Sequence, residues 1–353
     1  MPFFSRRTFL LAASPALLAL GWLAVRRDGR PPVTVPEAER LRGVTVSCQT
    51  SGWEWGDPAM ARTMDDLRGL GANAISFHPY ARISADGHVR WRKEERPPSI
   101  VNPLAWAHER GMTAMLVPHI AYWGSPFRWR GDIDFATDEA WDRFFADYEQ
   151  WIVSLARLAE EGRAPLFCVG LEYTHAQRFD ARWRRIIAAV RSVYHGRLTY
   201  GANWHEVDAV PFWDALDHVG VLAYFPLSDA PNPTSAQLDA GWARRERELA
   251  AVSARTGKSV LFVEMGYDIR DDAAARPWAD DGSASQQARD IQCRCLAAGL
   301  RTVGRAPWLA GVFLWKWFPD LPGHHRETFD LRAPETREVI RAAWVPRPDP
   351  AGS

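Results

Sequence analysis

From Gly43 to Ala343 short apolar runs alternate with longer stretches in which apolar positions recur every third or fourth residue. The first pattern marks a strand buried on both faces, the second an amphipathic helix. The predicted strands are Val44–Cys48, Ala74–His78, Ala114–Pro118, Leu166–Glu172, Leu198–Asn203, His218–Tyr224, Val260–Glu264 and Gly311–Trp315. Helical periodicity lies between them over Ala59–Leu70, Asp138–Glu161, Ala181–Tyr194, Ser235–Thr256 and Ser285–Val303, and Pro334–Ala343 closes the set. Gly71-Ala72-Asn73 reads as a helix stop followed by a strand. Strict alternation implies a parallel sheet, and eight repeats of strand and helix imply a closed (β/α)8 barrel of the α/β class, one domain over residues 43–345. The rival is an open, doubly wound sheet, but no GxGxxG or P-loop pattern opens any helix.

The strands end on polar or aromatic residues: Gln49, His78, His119, Glu172, Asn203, Tyr224, Glu264 and Trp315. In such a barrel the C-terminal strand ends form the floor of the active site. Two segments stand out, Val169-Gly170-Leu171-Glu172 and Leu261-Phe262-Val263-Glu264, each an apolar run that finishes on a glutamate. They are the fourth and seventh strands and lie across the mouth from one another. Two carboxyls there suit retaining glycoside hydrolysis, one as acid/base and one as nucleophile, about 5–5.5 Å apart. One negative charge raises the other's pKa, and a dry, tryptophan-lined pocket raises it further.

The other strand ends take supporting roles. Tyr224 is a candidate to orient the nucleophile, and Asn203 to bond a sugar hydroxyl or a glutamate. His78 and His119 are candidates for hydroxyls beside the cleaved bond. Trp315 is a candidate sugar platform. Trp53, Trp55 and Trp123 fall in βα loops on the same face, and two of the three are expected to stack on substrate. Trp278, after the seventh strand, would line an outer subsite. Glu54 and the pairs Asp271-Asp272 and Asp280-Asp281 read as solvated loop charges. The segments Pro79–Ile100 and Ala121–Thr137 show no clear structure and read as long loops that wall one end of a cleft.

Composition narrows the picture. The 353 residues, 47% hydrophobic and 24% charged, suffice for one large core. Lys+Arg and Asp+Glu balance at 43 each, so nothing points to nucleic acid. The 18 tryptophans exceed what a core needs and suit stacking on pyranose faces. Cys48 and Cys168 fall in apolar strands and read as buried thiols, while Cys293 and Cys295 face apart on a helix. No CxxC or HxxxH spacing occurs, and His324-His325 is a lone pair in a loop. No metal, cofactor or partner chain is called for, and a monomer is expected.

The N-terminus has a different character. Ser5-Arg6-Arg7-Thr8-Phe9-Leu10 precedes an apolar run to Val25 and resembles a twin-arginine export signal. Ala19-Leu20-Gly21 offers a small-residue cleavage site. The apolar run, residues 8–25, is also long enough for a marginal membrane span, so residues 1–27 are either a signal peptide or an uncleaved anchor. Either way the barrel is expected outside the cytoplasm, in the periplasm or beyond. Residues 28–42 read as a linker and 346–353 as a disordered tail.

Four segments together resemble glycoside hydrolase family 113, the retaining β-mannanases of clan A. They are Leu198 to Trp204, Phe212-Trp213-Asp214, Val221 to Leu227, and Gly257 to Tyr267. The resemblance implies Glu172 as acid/base, Glu264 as nucleophile and a cleft for a β-linked hexose polymer, with mannan or glucomannan the first expectation. It needs no cofactor. Alternatives are another β-glycan, such as an exopolysaccharide, or a non-catalytic carbohydrate-binding barrel. Family members usually carry a threonine just before the acid/base, and wider-clan members an asparagine, where this chain has Leu171; Tyr173-Thr174-His175 also departs from the family pattern.

Overall fold

The computed structural model describes residues 30–279, 285–322 and 328–346. The export segment, Asp280-Asp281, His324-His325 and residues 347–353 of the tail lie outside the described residues. In chain order the strands are β1 (Leu41–Val46), β2 (Ala74–Phe77), β3 (Tyr80–Ile83), β4 (Val89–Arg90), β5 (Thr113–Leu116), β6 (His119–Ala121), β7 (Leu166–Leu171), β8 (Arg197–Asn203), β9 (Val219–Leu222), β10 (Val260–Met265) and β11 (Leu309–Trp317). The helices are α1 (Pro58–Gly69), α2 (Pro98–Glu109), α3 (Asp138–Glu161), α4 (Asp180–Arg191), α5 (Ser235–Thr256), α6 (Gln286–Arg305) and α7 (Pro334–Trp344). Eight parallel strands close a barrel in the order β1-β2-β5-β7-β8-β9-β10-β11, and β11 pairs back onto β1. The predicted strands are all present, with ends displaced by at most three residues.

Two apolar clusters account for the closure. Inside the barrel, Met115, Leu166, Cys168, Leu222, Leu261, Val263 and Phe313 fill the axis. Outside it, the alternate strand residues, such as Ile75, Phe167, Val169, Val221 and Phe262, meet the helices. On α3, Trp141, Phe144, Tyr148, Ile152 and Leu155 recur every three or four residues and are all buried, which is why that segment is helical and where it docks. Thr137 caps it by accepting from the Ala140 N–H. Among the described residues no helix is long and apolar enough to cross a membrane.

Two expectations need correction. There are seven α-helices among the described residues rather than eight. The connection after β8 carries two short 3₁₀ turns, Val207–Ala209 and Trp213–Ala215, with Pro211 between them; a proline there has no N–H for a continuing helical ladder. The segments after β2 and β5 are also not bare loops. β3, β4 and β6 form a separate three-stranded sheet at the barrel mouth, β3 parallel to β6 and antiparallel to β4. α2 begins at Pro98, inside the first of those segments, and holds a further Pro103, which hid its helical character.

The barrel strands are irregular where they reach the mouth. On β7, Cys168 pairs with Thr199 but Leu171 with Gly201, so β7 carries one residue more than its neighbour. On β10, Phe262 pairs with Val221 and Glu264 with Leu222, again one residue extra. On β11, the pairing to β1 slips by one residue between Leu314 and Trp317. Such bulges bend a strand and re-aim the side chains that follow. Glu172 stands just past the β7 bulge with φ of 61°, and Glu264 sits in that of β10.

Gly71 ties the two ends of the domain together. Its φ is 90°, and a Cβ there would lie 2.9 Å from Cβ of Trp344 and 3.0 Å from its backbone. Gly71→Ala is therefore expected to destabilise the domain by about 2–3 kcal/mol, from left-handed strain plus displacement of α7. Urea unfolding measures this; an unchanged midpoint would show that the α1–β2 turn does not depend on glycine.

Candidate active site

The bulges on β7 and β10 bring Glu172 and Glu264 to one place. Burial disfavours ionisation of each carboxyl, and the charge of Glu264 raises the pKa of Glu172, which puts the two within Coulomb reach. Glu264 is 4% exposed. Its Oε2 accepts a 2.7 Å hydrogen bond from the Tyr224 hydroxyl, which follows β9. Its Oε1 is buried without a hydrogen-bond partner, and His119 Nε2 stands 3.5 Å away. Burial pushes the Glu264 carboxyl up to about 7, against the opposing pull of Arg130, the Tyr224 hydrogen bond and Lys316. Deep burial holds His119 and His78 well below the usual histidine range, so both rings are neutral.

Glu172 is anchored by a residue that sequence reasoning missed. Arg130 donates to Glu172 Oε2 from Nε at 2.9 Å and from a terminal nitrogen at 2.5 Å. It lies in the segment between β6 and α3, on a 3₁₀ turn (Arg130–Asp132). The turn is tied locally: Trp129 Nε1 donates to Asp132 Oδ1 at 2.8 Å, and the Trp129 ring occupies the space a Cβ on Gly131 would take. Phe127 packs edge-on against Phe135 and fixes the segment to the core. Burial disfavours the Arg130 charge, yet Glu172 and Glu264 more than offset that and raise its pKa. Burial raises the Glu172 pKa, and Arg130 pulls it back. Burial outweighs the arginine, so the net effect is a raised proton affinity at Glu172, the direction the sequence reading expected for the acid.

A third carboxylate was also missed. Glu206, just after β8, accepts from Asn203 Nδ2 at 2.9 Å and from Thr174 Oγ1 at 3.0 Å, and its charge contributes to raising the Glu172 pKa. Asn203 is therefore bonded to Glu206 and Thr174 and to neither Glu172 nor Glu264. The Glu206 contact to Thr174 gives the residues after Glu172 a structural partner. Leu171 is fully buried and belongs to the barrel interior, turned there by the β7 bulge.

The aromatic residues divide in two. His78 stacks on His119 at 4.5 Å, and Trp315 lies 5.4 Å from His78 and 6.0 Å from His119, so these three form one wall beside Glu264. His78 Nε2 is 3.1 Å from Ser47 Oγ. Trp55 is buried and donates to Val46 O at 2.9 Å. Trp53 and Trp123 are more than half exposed and line a cavity of about 1120 Å³ whose walls include neither glutamate. Trp278 is equally exposed on the segment after β10. Glu54, read as a solvated charge, is fully buried: its carboxylate accepts from Gln49 N at 3.0 Å and Thr50 Oγ1 at 2.6 Å, which closes the turn after β1. Cys48 lies past the end of β1 and is partly exposed, not strand-buried; Cys168 is buried as expected. Among the described residues no group of three His, Cys, Asp or Glu side chains converges to hold a metal ion.

Comparison with known proteins gives this arrangement a family. The model of Glycoside Hydrolase Family 113 matches residues 44–330. A family 113 β-mannanase of Alicyclobacillus acidocaldarius, solved in complex with ManMIm, is 25% identical at TM-score 0.74, covering 86% of this chain and 97% of its own. A family 113 β-1,4-mannanase is 22% identical at TM-score 0.75, covering 87% and 99%. A family 5 mannosidase of Rhizomucor miehei shares the fold at TM-score 0.56 and 11% identity, covering 89% and 97%. No curated protein matches the chain.

The raised proton affinity of Glu264 has a stability consequence. A carboxyl at about 7 when folded and about 4.5 when unfolded favours the native state most below pH 4.5 and disfavours it increasingly as pH rises to 7. At pH 8 the penalty is about 3 kcal/mol. Glu264→Gln, which keeps an acceptor for Tyr224, is expected to be more stable than the parent at pH 8 and equal to it near pH 4. Denaturant unfolding at the two pH values tests this; a mutant less stable at pH 8 would show that Glu264 is charged at little cost.

Proposed function

The chain belongs to glycoside hydrolase family 113 and is a glycoside hydrolase, and from that premise we propose that it cleaves a β-1,4-linked, mannose-containing polysaccharide by double displacement. Glu264 is the nucleophile and Glu172 the acid/base. The observation that carries this reading is the pair itself: two glutamates at the ends of β7 and β10, one just past a strand bulge and one within it, within electrostatic reach across the barrel mouth. Support for the substrate comes from the similar structures, which are mannanases.

The residues then take distinct tasks. Tyr224 holds one oxygen of Glu264, which leaves Oε1 as the atom to attack the anomeric carbon. Neutral His119 beside Oε1 and the Trp315 ring form the wall against which the reacting sugar lies. The leaving oxygen must approach Glu172, where Arg130 now sits. Both Arg130 bonds go to Oε2, so Oε1 is the oxygen that meets the leaving group, and burial together with the Glu264 charge raises the carboxyl's proton affinity and equips it as an acid. Once the glycosyl–Glu264 ester forms, the neighbouring negative charge is gone. The Glu172 pKa falls, Arg130 favours the carboxylate, and Glu172 serves as base toward water. We further read residues 1–27 as an export signal or anchor, which puts the substrate outside the cytoplasm.

A second reading rests on Leu171. It turns into the barrel interior and offers no polar group to the substrate's 2-hydroxyl beside Glu172. Another β-glycan, such as an exopolysaccharide, fits that position as well as mannan does.

Reducing-sugar release from mannan, glucomannan, xylan and mixed β-glucan separates these readings. Glu172→Gln is expected to lose about 10²–10⁴ in kcat, with polysaccharide binding retained, and Glu264→Gln to abolish release. Full activity in either mutant would remove it from the mechanism. In Arg130→Ala both carboxyls lose a cation, so the pH profile of kcat/KM is expected to move to higher pH; a profile that stays put or moves down would show that Arg130 does not control them.

A further inference from the structure

A large cavity of the described residues is not lined by the two glutamates. It is a groove of about 1120 Å³ that starts at the mouth, between Trp53, Tyr80 and Trp123, and continues between the segment after β4 and the flank of α3, as far as Leu158 and Glu161. Tyr80 connects it to the site: its ring lies 5.1 Å from Trp123 on the groove side and 6.1 Å from His119 on the other. The groove is thus a continuation of the wall that flanks Glu264.

Its charge is unlike that of the whole chain. Lysine and arginine balance the acids overall, at 43 each. The groove is lined by six cations and three carboxylates. Arg96 has an acidic partner, Glu161 at 2.5 Å. Among the described residues Arg82, Arg90, Arg92 and Arg157 have none, and Lys93 rests over the Trp91 ring at 5.1 Å. Four unpaired guanidinium groups around a trench with aromatic rings at its entrance form a surface built for a ligand that is both ring-shaped and acidic. Arginine's planar fork matches a carboxylate, and an exposed indole matches the apolar face of a pyranose.

We propose that this groove binds a carboxylate-bearing stretch of the polysaccharide, so that the substrate is an acidic β-glycan with uronic acid residues at a distance from the cleaved bond. This rests on the glycoside hydrolase reading of the glutamate pair and names the class of glycan that pair receives. The mouth-side rings, Trp53 and Trp123, hold the sugar plane, and the arginines on β3, on β4, after it and on α3 take the acid groups. Such partly exposed ion pairs are individually weak and screened by salt. Several together give about a tenfold preference for the acidic polymer at low ionic strength, which fades as salt is added.

The test uses glucomannan and the same polymer partially oxidised at C6 to uronate, with binding measured on the Glu172→Gln protein so that turnover plays no part. Binding about tenfold tighter to the oxidised polymer, lost in 0.5 M NaCl and lost in the triple variant R90S/R92S/R157S, is the expected result. Unfolding of the triple variant at the parent's midpoint verifies that the groove, not the fold, has changed. Equal binding of the two polymers by the parent protein overturns the proposal, as does a preference that survives in the triple variant. A DNA oligonucleotide of equal charge that competes as well as the oxidised glycan also overturns it, in favour of a general polyanion surface. If neither polymer binds, the groove proposal falls too. Absence of hydrolysis by the parent protein, with the binding preference intact, would count against the catalytic reading alone.

Discussion

Everything at the mouth of this barrel follows from placing carboxylates where water is scarce. Glu264 sits almost fully buried among neutral histidines and tryptophan, and burial drives its proton affinity to about 7 even against Arg130, Tyr224 and Lys316. A carboxylate in that position destabilises the fold, so its neighbours matter more than they would on a surface. Tyr224 supplies a hydrogen bond to one oxygen, and Arg130 supplies the nearest cation to the pair. The remaining oxygen, Oε1, is left without a partner. That oxygen faces His119 Nε2 at 3.5 Å, beyond the span of a strong hydrogen bond, and its burial is part of what raises the carboxyl's proton affinity.

The strand bulges are how the fold meets this demand. Regular alternation on β10 puts Leu261 and Val263 inside the barrel and Phe262 outside, so Glu264 would follow Phe262 outward. The extra residue breaks that alternation at the glutamate. On β7 the same device turns Leu171 into the apolar interior and leaves Glu172 in a left-handed backbone conformation at the rim. The interior keeps its apolar filling and the rim still receives its two carboxylates. A polar residue in place of Leu171 would be buried among Cys168, Leu222 and Val263, which explains why an apolar one is tolerated next to the acid.

What the sequence disclosed and what it withheld divide along this line. The barrel was legible because the fully apolar strands and the helix periods are local patterns, and Glu172, Glu264 and Tyr224 were legible because each ends an apolar run. Arg130 was not. It is 42 residues from Glu172 in the chain, in a stretch with no period to read, and its role is a long-range contact. Glu206 was hidden for a related reason: it follows β8 in a short turn, where a carboxylate looks like any solvated loop charge. Glu54 was misjudged on that same appearance, although its partners Gln49 and Thr50 are local, because a side chain's burial depends on what packs over the turn. The inserted sheet of β3, β4 and β6 escaped notice because strands of two to four residues fall below the length at which alternation can be recognised.

That insertion changes how the molecule divides its labour. The barrel strands alone supply the glutamates, Tyr224 and Trp315. The segments following β2 and β5 supply Arg130, which donates to Glu172, and they also supply Tyr80, Trp123 and the arginines of β3 and β4 that line the groove. β6 joins the two functions directly, since His119 at its start lies beside Glu264 and Ala121 at its end lines the groove. A ligand that settles in the groove bears on the same sheet from which the Arg130 segment departs. Arg130 at Glu172 and most of the groove's cations are thus carried by the segments inserted after β2 and β5, apart from the barrel strands that present the glutamates.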